Sequence, residues 1–88
     1  MSYASRLSFR GITRAVFARL RRKAAKHGIR VLHPRGEAVR NGVTIHWDYD
    51  PAAEVLEVEC VRAPFWIAPA TINSKLSDEI ESELQRAA

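Results

Sequence analysis

Eighty-eight residues, 47% of them apolar and 27% charged, make one small domain and exclude an intrinsically disordered chain. A single cysteine, Cys60, excludes an internal disulfide and a cysteine-stapled secreted scaffold, and fits a reducing, cytoplasmic setting. The net charge of +4 hides a polarised chain: residues 1–40 carry 11 Lys/Arg against one acid, Glu37, and residues 41–88 carry three Lys/Arg against nine acids.

The N-terminus lacks a signal-peptide core, because Arg6, Arg10, Arg14 and Arg19 interrupt every apolar run. Its Arg- and Ser-rich, acid-free composition is that of a transit peptide, but the same segment is needed to cover a sheet. "SFRGITRAVFARLRRKAAKHG" predicts an amphipathic helix, with Ile12, Val16, Leu20 and Ala24 four residues apart and Phe9 and Phe17 beside them. Ser8 is the expected N-cap and Gly28 the left-handed stop after His27.

Beyond Gly28 the apolar period falls to two. "IRVLH" predicts a short strand ended by Pro34 and Gly36, and Asn41-Gly42 predicts a type I′ hairpin turn. In "VTIHWDY" the residues Val43, Ile45, Trp47 and Tyr49 alternate with polar ones. After the turn "DPAA", Leu56, Val58 and Cys60 continue that alternation. Setting Trp47 opposite Val58, Ile45 opposite Cys60 and Tyr49 opposite Leu56 puts every apolar partner on one side, and a slip by one residue scrambles both faces.

The stretch "CVRAPFWIAP" follows, overlapping from Ala63 the longest charge-free run of the chain, residues 63–74. Twelve residues with two prolines are far short of the roughly 20 a membrane-spanning helix needs. Pro64 ends the ladder, and the preferred expectation is that Phe65, Trp66 and Ile67 plug the end of the core. The alternative leaves Phe65 and Trp66 exposed as anchors for a partner. From Pro69, Ile72, Leu76, Ile80 and Leu84 define a second helix whose other face carries Asp78, Glu79, Glu81 and Glu83. The expected fold is α+β: a helix, a three- or four-stranded antiparallel meander and a helix, with both helices on one face of the sheet.

Two further surfaces are candidates. The cluster Arg21, Arg22, Lys23 and Lys26 could meet an acidic protein surface, or the whole stretch "RLRRKAAKHGIR" could lie along phosphates, where about six to eight contacts would make binding steeply salt-dependent. Anionic lipid is a lesser alternative, and a solvated face neutralised by the acidic helix is the structural one. No helix-turn-helix precedes the cluster, and it holds no Asn or Gln to read a base. On the open sheet face, Asp48 faces Glu57 and His46 faces Glu59. Two hydrated carboxylates explain that conflict most simply, while a cation or the basic helix of a second copy would also relieve it.

His27, His33, His46 and Cys60 have no ligand spacing, so no metal or cofactor is expected. No phosphate loop or nucleophile motif points to an enzyme, and burial of Cys60 would make its thiol inert. The expected function is a non-enzymatic domain acting by protein–protein contact or self-association as a homodimer. Nucleic-acid binding through the basic helix is the alternative.

Overall fold

The computed structural model describes residues 6–87. Six elements occur in the order β1 (Leu7–Arg10), α1 (Arg14–Lys26), β2 (Arg35–Arg40), β3 (Val43–Asp50), β4 (Val55–Arg62) and α2 (Pro69–Ala87). The strands form one antiparallel sheet in the order β1-β4-β3-β2. Phe17 and Leu20 of α1 and Leu76, Ile80 and Leu84 of α2 share one core with Trp47, Tyr49, Leu56 and Val58. Both helices therefore roof the same face, and the fold is the two-layer α+β arrangement that the apolar stripes demand.

The central hairpin takes the expected register, Trp47 opposite Val58, Ile45 opposite Cys60 and Tyr49 opposite Leu56. Those six residues are all buried, and their neighbours in sequence face outward. Asn41 and Gly42 both have positive φ, 53° and 81°, as a two-residue type I′ turn requires. At the other end of β3, Asp50 Oδ1 accepts from the N–H groups of Ala52 and Ala53 at 3.0 and 3.2 Å, closing the turn into β4.

The first helix begins later than its apolar spacing suggests. Ser8 is not a helix cap but a residue of β1, which lies along β4 with Phe9 opposite Leu56. Phe9 satisfies both a helical stripe with Ile12 and a strand alternation with Leu7. Gly11 decides between them, because its φ of 78° interrupts any helix through that point. Thr13 is the cap, its Oγ1 accepting from Val16 N–H at 3.2 Å. Ile12 and Phe17 then occupy the two positions of a hydrophobic staple, and both join the core. Gly28, with φ 79°, follows the His27 C-cap as expected. Strand β1 and helix α1 take up most of the Arg- and Ser-rich segment whose composition is that of a transit peptide; its residues 1–5 lie outside the described residues.

Residues 29–34 make no strand, in contrast to the expectation for "IRVLH". Two of their carbonyls serve side chains, and Pro34 O alone accepts from the backbone of β3, from Tyr49 N–H at 2.8 Å. Arg21 Nε donates to Val31 O at 2.8 Å, and Trp47 Nε1 donates to His33 O at 2.9 Å. The fourth strand of the sheet is thus β1, at the opposite edge from β2.

Two contacts tie the roof to the sheet. Tyr49 stacks on Phe17 with ring centroids 4.2 Å apart, and its hydroxyl donates to Ile12 O at 2.7 Å. Between the helices, Glu83, only 3% exposed, takes Lys23 at 3.0 Å and Arg19 at 3.2 Å. Its hydrogen bond from Lys23 holds the carboxyl below its ordinary range, against the opposing effect of burial.

Burial raises the Tyr49 pKa above its usual value of 10. Up to that value folded and unfolded chains are both protonated; above it the unfolded chain loses its proton first, so the Tyr49 contribution to stability declines as pH rises. Tyr49→Phe should cost about 1–2 kcal/mol at neutral pH by leaving Ile12 O unpaired. Urea unfolding of both chains at neutral pH and roughly one unit above the tyrosine value should show the gap narrowing; a gap that is absent or constant would contradict this contact.

Candidate functional site

Beyond Arg62 the ladder stops at Ala63-Pro64, as a residue without an N–H donor dictates. The chain does not continue extended. Ile67 N–H donates to Pro64 O at 3.0 Å, which closes a β-turn with Phe65 and Trp66 at its two central positions. Side chains at the centre of such a turn project away from the body. Phe65 is 96% and Trp66 70% exposed, while Ile67 is half-buried. The expected core plug is therefore overturned: alternation holds only for extended chain, and this segment reverses.

The two rings meet edge to face, 5.2 Å between centroids and 84° between planes. Their turn abuts the β2–β3 hairpin tip. A Cβ placed on Gly42 would stand 3.0 Å from Pro64 Cγ, so a side chain there would crowd the proline ring as well as strain the positive φ. Proline and the neighbouring hairpin make the corner a fixed platform. The exposed pair is thus a feature of a stiff turn, not of a frayed end.

Of the four cations in the basic cluster, two are already engaged. Lys23 reaches Glu79 at 3.1 Å and Glu83 at 3.0 Å, and these hydrogen bonds raise its pKa. Arg21 is bound to Val31 O. Arg22 and Lys26 are exposed and make no ion pair among the described residues. Of the cluster, Lys23 is part of a helix–helix clasp, Arg21 holds the segment after α1, and Arg22 and Lys26 remain a free surface.

The open sheet face shows the expected opposition of Asp48 with Glu57 and His46 with Glu59. Each carboxylate has a cation from a flanking strand or the residue before one. Arg6 reaches Glu59 at 2.9 Å and Glu57 at 3.3 Å, and Arg35 reaches Asp48 at 3.2 Å. The hydrogen bond that Arg6 donates to Glu59 raises the Arg6 pKa, and Glu57 adds to it. Neither lone hydrated carboxylates nor a second copy's helix is needed: the conflict in β3–β4 is relieved by the strands on either side. The signal that could have found this is Arg35 at even spacing from Glu37 and Val39, which places it on the wet face once β2 is paired.

Cys60 is fully buried, and desolvation raises its thiol pKa. Among the described residues no group of three His, Cys, Asp or Glu could hold a metal ion, and no helix is long and apolar enough to cross a membrane. A shallow hollow of about 520 Å³ beside Thr13 and Leu84 has Arg19 and Arg86 as its charged lining. The chain matches no protein-family model, no curated protein and no solved structure.

The exposure of Phe65 and Trp66 makes a direct expectation. The Phe65→Ala/Trp66→Ala double variant should unfold within about 0.5 kcal/mol of the parent, as surface changes do. Thermal melts of the two chains check this; a loss of several kcal/mol would return both rings to the core.

Proposed function

We propose that this chain is a non-enzymatic interaction domain that engages a protein partner through the Phe65–Trp66 corner. The observation that carries the proposal is that the two bulky aromatics of residues 60–69 stand almost wholly in water on a turn stiffened by Pro64. Burying such rings in a partner would stabilise a complex by roughly 1.5–3 kcal/mol each. Trp is also among the residue types that most often dominate binding energy. A second copy of the chain is one form such a partner can take. The open sheet face gives that form no particular support, because its acids are neutralised within the chain.

Nucleic-acid binding through α1 has less in its favour. Lys23 and Arg21 are committed elsewhere, which leaves Arg22 and Lys26 of the four cations. With exposed Arg14 at the other end of the helix, α1 offers at most three phosphate contacts, which give only weak, salt-sensitive association.

A photo-crosslinking residue placed at position 66 tests the protein-partner proposal in cells producing the full chain. Crosslinked protein species should form from position 66 and be absent when the same residue replaces exposed Ala53 in the β3–β4 turn. A species of twice the chain mass would identify self-association. Identical patterns from both positions, or none from 66, would contradict the proposal.

A further inference from the structure

Three segments meet where the corner stands. Strand β4 ends there at Arg62, opposite Thr44, and Pro64 lies against Gly42. The end of α1 joins them: a Cβ on Gly28 would stand 2.6 Å from Arg40 Cζ, so the Arg40 guanidinium lies against that left-handed turn. Every stretch contributing to this end is free of acids, since residues 1–36, 38–47 and 60–77 contain no Asp or Glu. Lys26, Arg30, Arg40 and Arg62 are exposed and make no ion pair among the described residues.

Elsewhere the fold places carboxylates beside several of its cations, although Arg14, Arg22 and Lys75 make no ion pair among the described residues. Arg6, Arg19, Lys23, Arg35 and Arg86 all have acidic neighbours within 4 Å. At the opposite end of the sheet, Arg10 is paired with Val55, next to Glu54, and Asp50 and Glu54 both act on Tyr49 there. Among the described residues, only the aromatic corner combines a cluster of cations with exposed rings and no acid.

We infer that the protein segment taken up by the Phe65–Trp66 corner is acidic: an apolar anchor side chain flanked by Asp or Glu. This rests on the proposal that the corner is a protein-docking anchor and adds the chemistry of what it accepts. The rings supply contact area, and the surrounding cations select for negative charge and speed encounter. Ring geometry favours a protein segment over a single-stranded nucleic acid, because faces 84° apart cannot stack two successive bases. Two exposed side chains with Ile67 half-buried are also a small apolar area beside the full stripe of a membrane-surface helix.

The test is a random 16-residue peptide library displayed on phage and selected on the immobilised full chain. Enriched peptides should carry net negative charge and an aromatic or large aliphatic residue. A synthetic copy of an enriched peptide should bind roughly tenfold more weakly to Arg40→Gln/Arg62→Gln, and to each single variant by less. It should lose affinity with added salt and fail to bind Phe65→Ala/Trp66→Ala. Melting curves establish that each variant is folded.

Peptides that need Phe65 and Trp66 but show no enrichment of acids would overturn the acidic preference and leave the corner standing. Acidic peptides that bind the double alanine variant equally well would overturn the corner itself. No enrichment, together with a blue shift of Trp66 emission on adding a 15-nucleotide thymidine strand or phosphatidylglycerol vesicles, would overturn both in favour of nucleic acid or lipid. No enrichment and no shift would also overturn both.

Discussion

The pairing of Trp47 with Val58 is the constraint on which the remainder of this fold depends. In a strand pair the side chains alternate faces, so one registered pair assigns every other. With this one in place, Ile45, Tyr49, Leu56 and Cys60 face the helices, and His46, Asp48, Glu57 and Glu59 face water. A slip of either strand by a single residue would turn its own ionisable groups, His46 and Asp48 or Glu57 and Glu59, under an apolar roof. The same register brings Arg62 level with Thr44, leaves Val61 unpaired at a bulge, and so fixes where the ladder runs out and the aromatic corner begins.

The division of charge along the chain has two uses. Part of it is spent between the helices, where Glu83 is nearly inaccessible and receives Lys23 and Arg19. A buried carboxylate stripped of such partners would be strongly destabilising, whereas the exposed pairs of Arg6 and Arg35 on the sheet are individually weak. The other part is unspent. Cations near the α1 C-terminus and beside the β2–β3 turn have no acid to meet within the described residues, and the aromatic pair follows Pro64 at that same turn. Folding thus consumes the polarity at the helix interface and leaves it available at one end.

Alternation made the central hairpin legible in sequence, because Val43 to Tyr49 and Leu56 to Cys60 each have a single face that can be apolar. Elsewhere local pattern was ambiguous. Phe9 fits a helix and a strand equally, and the dihedral demanded at Gly11 settles the matter only once β4 offers an edge to pair with. "IRVLH" alternates well enough for a strand, yet its carbonyls are taken by Arg21 and Trp47. The aromatic corner departs from the core-plug expectation for a related reason: alternation holds only for an extended segment, and Pro64 opens a turn that carries both rings outward. Arg6 and Arg35 were invisible as neutralising groups because pairing across the sheet, not spacing along it, brings them to Asp48, Glu57 and Glu59.

The two tryptophans stand at opposite extremes of environment, 6% and 70% exposed, and report separately on register and corner. Acrylamide quenching of Trp66→Phe and Trp47→Phe, each retaining one indole, measures both. Trp47 should emit at short wavelength and resist the quencher, while Trp66 should emit at long wavelength and be quenched almost as freely as the amino acid in water. An accessible Trp47 would mean that the strands pair in another register, and a shielded Trp66 would leave the docking corner without its anchor.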